Sequence, residues 1–276
     1  MMPSNLKSFA AQIRIESLRM VHRARASHIG GALSMADILA VLYVPGGRLS
    51  VNQIDPRWPQ RDRFILSKGH ACTGLYAALG LRGFIPLEDL KTYGQSGSNL
   101  MSHASHKVAG IELSTGSLGH GLPVGCGLAL AAKRRHESWR TVVLLSDGEM
   151  DEGSNWESFL FAPQHRLDNL WVVIDANGIQ SLGDVKDVLD LEPLADKLRA
   201  FRWSVIEIDG HDHEALYQAL DLSHPPQPGR PTVVIARTVK AKGVAFMENR
   251  LEWHYKSPSD EQLAQAIAGL KGGCDA

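Results

Sequence analysis

The 276-residue chain has little of what marks a secreted, membrane-spanning or nucleic-acid-binding protein. Its three cysteines, Cys72, Cys126 and Cys274, are odd in number, far apart and at no metal-ligand spacing. That excludes a disulfide framework or zinc cluster, and reads as buried thiols of a reducing compartment. No apolar run approaches the roughly 20 residues needed to cross a bilayer. The opening stretch MMPSNLKSFAAQIRIESLRM scatters charges among its apolar residues, unlike a signal peptide. Charge of one sign is also lacking: 29 Lys and Arg stand against 30 Asp and Glu. No overall field therefore draws the chain to nucleic acid or to a membrane. There is no internal repeat, low-complexity tract, P-loop or Gly-x-Gly-x-x-Gly turn after a strand. What remains is a cytoplasmic globular protein of ordinary composition, 44% hydrophobic and 21% charged. Its length is enough to bury a substantial core.

Residues 5–26 carry Leu6, Phe9, Ile13, Leu18 and Val21 at helical spacing, which predicts an amphipathic opening helix. A second helix is expected from Ser34, as its N-cap, through MADILAVLY to the break at Pro45-Gly46-Gly47. Residues 82–120 are rich in Gly, Ser and His without periodicity, and read as loops lining something. The small-residue stretch 121–135 predicts a helix lying close against a neighbour. Four apolar, β-rich runs follow at 141–146, 170–176, 203–209 and 231–237, continuous instead of alternating, as in strands covered on both faces. Helical segments near 154–166, 191–201 and 213–221 separate them. This alternation predicts an α/β fold with a doubly wound, mostly parallel sheet. The tail from Pro258 reads as a helix ending in a frayed GGCDA. One domain over residues 1–276, with an N-terminal helical segment, is the economical division.

Ligands of open α/β sheets bind at the carboxyl ends of the strands. One predicted strand ends in Ser146-Asp147-Gly148-Glu149, and the next in Asp175-Ala176-Asn177-Gly178. Asp147 and Asn177 are thus brought to one edge of the sheet, and both are hard oxygen donors suited to Mg²⁺ with phosphate oxygens. Gly148 lets a phosphate approach the backbone, and a helix beginning near Ser154 adds its N-terminal dipole. Taken singly, Asp-Gly and Asn-Gly after a strand are ordinary turns. The pair, spaced for one strand–helix–strand unit, points to a site.

The segment SDGEMDEG…LDNLWVVIDANGIQ resembles the thiamine-diphosphate motif, and further stretches are similar to the N-terminal, diphosphate-binding half of transketolases. These are ASHIGGALSMADILAVLY (26–43), RDRFILSKGHA (61–71), STGSLGHGL (114–122) and TVKAKGVAFMEN (238–249), in the family's order. The resemblance implies a thiamine-diphosphate-binding fold of the diphosphate-binding type. It implies Mg²⁺, or Ca²⁺ as a substitute, held by Asp147, Asn177 and the carbonyl of Ile179. Gly148 would touch the diphosphate, with Glu149 beside it. Gly116, Ser117 and Leu118 would line the cofactor, and Glu152 would stand at a subunit interface near the active site. His28, His70, His103 and His254 match histidines around the cofactor's reactive carbon and the substrate; His70, His254 and Asn177 would also touch the cofactor. Imidazole suits proton movement at sugar oxygens near neutral pH. His120 stands where many relatives have Gln and either hydrogen-bonds the substrate region or has no part in it. His106 and His211 read as structural, and Lys240 and Lys242 as exposed loop lysines in preference to a phosphate-steering pair.

What the resemblance leaves out matters equally. The glutamate that activates the cofactor lies, in this family, on a pyrimidine-binding domain for which this sequence has no room. The expectation is a split transketolase, inactive without a separate C-terminal subunit, with two copies of each in the assembly. Its reaction would move a two-carbon ketol unit from a ketose or ketose phosphate to an aldose or aldose phosphate. Three departures stand out: Ser146 for Gly, Ser27 where Gly is frequent, and Tyr255-Lys256-Ser257-Pro258 after His254, where His-Gly and a small residue are usual. The tyrosine suggests a donor or acceptor other than the standard pentose phosphates. A carboligase acting on a 2-keto acid shares the diphosphate motif but not His28, His70 and His103. A non-catalytic, regulatory Mg²⁺–nucleotide-binding protein would explain Asp147 and Asn177 but not the histidines.

Overall fold

In the computed structural model, which describes residues 2–273, five strands form one sheet. They are β1 (Arg63–Leu66), β2 (Thr141–Ser146), β3 (Leu170–Ala176), β4 (Ser204–Asp209) and β5 (Thr232–Arg237). Their order is β1-β2-β3-β5-β4 and every pairing is parallel, so all carboxyl ends share one edge. Register aligns Ser146 with Asp175 and Ala176 with Arg237, bringing three strand exits level. Four strands fall where the β-rich runs predict them. The fifth, RFIL, is too short to declare itself among the charged and small residues around it. The outer strand β4 also departs from expectation: Ile206 and Ile208 are only half-buried, because this edge is covered incompletely.

Among the described residues ten helices surround the sheet: α1 (Leu6–Ala24), α2 (Ile29–Ser34), α3 (Ala36–Tyr43), α4 (Cys72–Arg82), α5 (Gly121–Arg134), α6 (Gly153–Gln164), α7 (Val185–Val188), α8 (Leu194–Ala200), α9 (His213–Ala219) and α10 (Asp260–Gly272). Alternate strand residues serve opposite faces. Val142, Leu144, Trp171, Val173 and Val234 pack with α1, α3, α4 and α9. Val143, Leu145, Val172, Ile174 and Ile235 pack with α5, α6 and α8. The doubly wound reading therefore holds. A third cluster joins α1 and α2 to α10 and to Val244, Met247 and Trp253. Ser259 and Gln262 close a capping box at the start of α10. No helix among the described residues is long and apolar enough to cross a membrane. Cys72 and Cys126 are buried free thiols, as expected, while Cys274 lies outside the described residues.

Ser34 does not cap the second helix. It ends α2, with Met35 joining α2 to α3, and its hydroxyl donates to Asp175 Oδ2 at 2.6 Å instead of accepting from a helix amide. The small residues of α5 do what their pattern implies: a Cβ on Gly125 would lie 2.5 Å from Val143 Cγ2, so the helix sits nearly on the sheet. Gly125→Val should lower stability by about 2 kcal/mol through overpacking. Gly127→Ala, where an added Cβ meets nothing within 4 Å, should be neutral or raise it by about 0.5 kcal/mol. Urea denaturation midpoints of the two variants check this contrast.

Candidate functional site

The loops leaving β1, β2, β3 and β5 meet around Asp175, which lies near the end of β3 with no exposed surface. Its carboxylate pairs with the buried ammonium of Lys68 from the β1 exit. It also accepts hydrogen bonds from Ser34 of α2 and from Thr238 after β5. Burial alone would keep this acid protonated, but Lys68 and the two hydroxyls outweigh it and hold the carboxyl below its ordinary range. The side-chain amide of Asn177 donates to the same carboxylate at 3.4 Å. That orients the amide oxygen, which accepts from the Ile179 amide at 3.2 Å and keeps a second lone pair for a further partner.

Beside this hub, Asp147 follows β2 and is 5% exposed. The amides of Gly148 and Gly178 donate to its two oxygens at 2.8 and 2.6 Å. Gly178 holds φ at +80°, a backbone that favours glycine. Burial, reinforced by neighbouring Asp175, pushes the Asp147 carboxyl up to about 6. The nearby Lys68 ammonium only partly offsets this, so the buried acid would gain from a further cation. Among the described residues no group of three His, Cys, Asp or Glu side chains is arranged to hold a metal. The donors here are mixed: the Asp147 carboxylate, the Asn177 amide oxygen and the Ile179 carbonyl border one cavity of about 250 Å³. Three hard oxygens with one formal charge suit a small divalent ion whose coordination is completed by phosphate oxygens and water. The residues present therefore fit a Mg²⁺–diphosphate. Gly148 comes so near the opposite loop that a Cβ there would lie 2.7 Å from Gln180 Cβ.

His28, His70, His103 and His254, which lie 226 positions apart at their extremes (254 − 28), line that same cavity. The His28 ring centroid is 5.2 Å from that of His70, 5.0 Å from His254 and 6.3 Å from His103. His28 adopts φ +70°, a strained conformation for a side-chain-bearing residue, and its amide donates to the His254 carbonyl at 2.9 Å. Burial lowers the basicity of His28, His70 and His254, and the charges of Lys240 and Lys68 and the neighbouring imidazoles add to it. His254 falls to about 3. At neutral pH these three rings are uncharged, each with one N–H to donate and one nitrogen lone pair to accept a hydrogen bond.

Gly116, Leu118 and Gly148 also line the cavity, whereas Ser117 is exposed and not part of the lining. Glu149 is turned away: its fully buried carboxyl accepts from Ser67 and from the Gly119 amide, fastening the β1 and β2 exits together. Glu152 is exposed outside the cavity, as is His120, whose ring bonds the Leu118 carbonyl at 3.0 Å. His106 is exposed and bonded to Ser114. His211 is structural: it contacts Asp37 at 2.7 Å and accepts from the Val239 amide at 2.8 Å. The reading of Lys240 as an exposed loop lysine is overturned. It is 2% exposed, and its ammonium donates to the Ile179 carbonyl at 2.7 Å and lies 3.3 Å from His254 Nδ1. Burial lowers its pKa to about 8. Lys242 is half-buried and lines a separate hollow beside Arg14 and His213. Lys68, Gln180 and Ser181 line the site although motif reasoning did not single them out. The signal for Lys68 was its place two residues before His70.

With this geometry in hand, comparison with known proteins is direct. The family described as "Transketolase, thiamine diphosphate binding domain" matches residues 6–271. A relative in Phocaeicola vulgatus, named as a subunit of an apulose-4-phosphate transketolase, is 40% identical, over 91% of this chain and 88% of its own. Another in Clostridium sp. (strain MSTE9), 6-deoxy-6-sulfo-D-fructose transketolase subunit SqwG, is 38% identical over 97% and 96%. The transketolase structure from Campylobacter jejuni superposes with a TM-score of 0.91 at 33% identity over 98% of this chain, which spans 43% of the length of that one. Fold and cavity together define a thiamine-diphosphate-binding domain. The chain belongs to the transketolase family, as an N-terminal domain of the length of the relatives named as subunits.

The lowered basicity of His254 carries a pH consequence. Below pH 6.5 an unfolded chain takes up a proton that the folded site refuses, so stability falls as pH drops from 6.5 toward 3. Because the ring is partly exposed, the loss between pH 7.5 and 5 is discounted to about 1 kcal/mol. Native protein should lose about that much more than His254→Gln when urea midpoints are compared at the two pH values.

Proposed function

We propose that this chain is the diphosphate-binding subunit of a split transketolase, moving a two-carbon ketol unit from a ketose to an aldose. The observation that carries the reading is the convergence of four histidines on the cavity bordered by Asp147, Asn177 and the Ile179 carbonyl. When bound, thiamine diphosphate supplies the ring that stabilises negative charge on the transferred unit. Asp147, Asn177 and the Ile179 carbonyl hold Mg²⁺, or Ca²⁺ in its place, with Gly148 against the diphosphate and Gly116 and Leu118 along the cofactor. Lys68 and Lys240 add positive charge next to the diphosphate. His28, His70, His103 and His254 orient the sugar and hold or move protons at its carbonyl and hydroxyl oxygens; three of them are neutral at physiological pH, so each can donate one hydrogen bond and accept another there. A separate pyrimidine-binding subunit completes the site, and two copies of each make a cytoplasmic heterotetramer. The names of the relatives as subunits, at matching length, support that division. The sugars in their names, apulose 4-phosphate and 6-deoxy-6-sulfo-D-fructose, support substrates other than the standard pentose phosphates.

The test is reconstitution. The chain alone should show no ketol transfer, and the chain co-purified with a transketolase C-terminal subunit from the same genome should show it. Thiamine diphosphate plus Mg²⁺ should raise the melting temperature of the complex, and Asp147→Asn should remove most of that rise. Turnover by the isolated chain would refute the split, and stabilisation by ATP plus Mg²⁺ in place of thiamine diphosphate would refute the cofactor.

A further inference from the structure

Tyr255 follows the cavity-lining His254 directly but does not line the cavity itself. It stands at the rim, its ring centroid 4.9 Å from that of His254 and its hydroxyl donating to the Ser181 carbonyl at 2.8 Å. Ser181 borders the cavity from the opposite loop. That loop is itself stiff: Gln180 donates to the Gly183 carbonyl and Val185 to that of Gly178, both at 2.9 Å. On its other side the segment carrying Tyr255 is anchored by Trp253, buried in the third hydrophobic cluster, and by Ser257, which donates to the Val21 carbonyl at 3.2 Å. The aromatic ring is thus strapped between two fixed loops, across the rim of the histidine cavity. Yet 57% of the residue is open to solvent, an unusual exposure for a side chain held at both ends.

We propose that Tyr255 is a specificity-determining residue that forms a wall of the substrate channel and favours sugars presenting a C–H face there. This rests on the reading of the site as one for ketol transfer. A ring face gains from covering carbon-bound hydrogen and loses where it strips water from a hydroxyl. The phenol's own proton is committed to Ser181, so the hydroxyl offers no donor to a substrate. A deoxy carbon beyond the two transferred ones is therefore accepted more readily than a hydroxylated one. No cation is required for this preference, which is separate from recognition of any terminal anion.

The experiment uses the reconstituted complex with D-fructose 6-phosphate and its 5-deoxy analogue as donors, which share charge and length and differ by one hydroxyl. Tyr255→Gly and Tyr255→Ser should each lower the ratio of kcat/KM, deoxy over hydroxylated, by about tenfold, a size within reach of one aromatic contact. Tyr255→Phe, which keeps the ring, should retain most of the ratio. Stabilisation of the complex by thiamine diphosphate plus Mg²⁺ should stay unchanged in all three, separating a channel wall from a general loosening of the site. Unchanged ratios in the glycine and serine variants of a complex that turns over would overturn the assignment of Tyr255 alone. Absence of ketol transfer from any ketose would overturn the proposed function, and this inference with it.

Discussion

A single buried ion pair organises the carboxyl edge of the sheet. Asp175 and Lys68 are both out of water, and neither charge is tolerable there without the other. Removing one partner of such a pair generally costs about 3–5 kcal/mol, because the other is left uncompensated. The pair gathers the β1 exit, α2 through Ser34, the β5 exit through Thr238 and the amide of Asn177 onto one carboxylate. Four loops distant in sequence thereby keep a common reference point. The oxygen donors that border the cavity inherit their placement from it.

Charge is distributed unequally on either side of that point. Asp175 is ionised because Lys68 answers it, while nearby Asp147 is pushed up to about 6 because burial and Asp175 act on it together. The imidazoles are pushed the other way by burial and by the ammonium groups, and remain neutral. The cleft thus holds a buried acid with a raised pKa together with uncharged imidazoles.

Much of this is legible from residues alone. The β-branched runs of β2, β3 and β5 announce buried strands, and their placement at strand ends makes Asp147 and Asn177 candidates by itself. The histidines can be chosen only through the stretches that surround them, since spacing alone does not connect position 28 to position 254. What stays hidden has physical reasons. RFIL is a strand because β2 offers it a partner, a non-local fact. Ser34 looks like a cap until Asp175 draws its hydroxyl elsewhere. Lys240 has the profile of a solvated loop residue, and only the chain's return past Ile179 and His254 buries it.

The β5 exit is gripped from its far side as well. Arg14 in α1 pairs with Asp37 in α3 at 2.5 Å, Asp37 meets His211, and His211 receives the amide of Val239, the residue before Lys240. Because that imidazole nitrogen accepts the amide proton, its other nitrogen carries the hydrogen toward Asp37, and the tautomer is set. The outer helical layer is therefore mechanically continuous with the cleft through a relay of three side chains. Damage to an arginine in the first helix, which does not itself line the cavity, would be felt at Lys240 on the cavity wall.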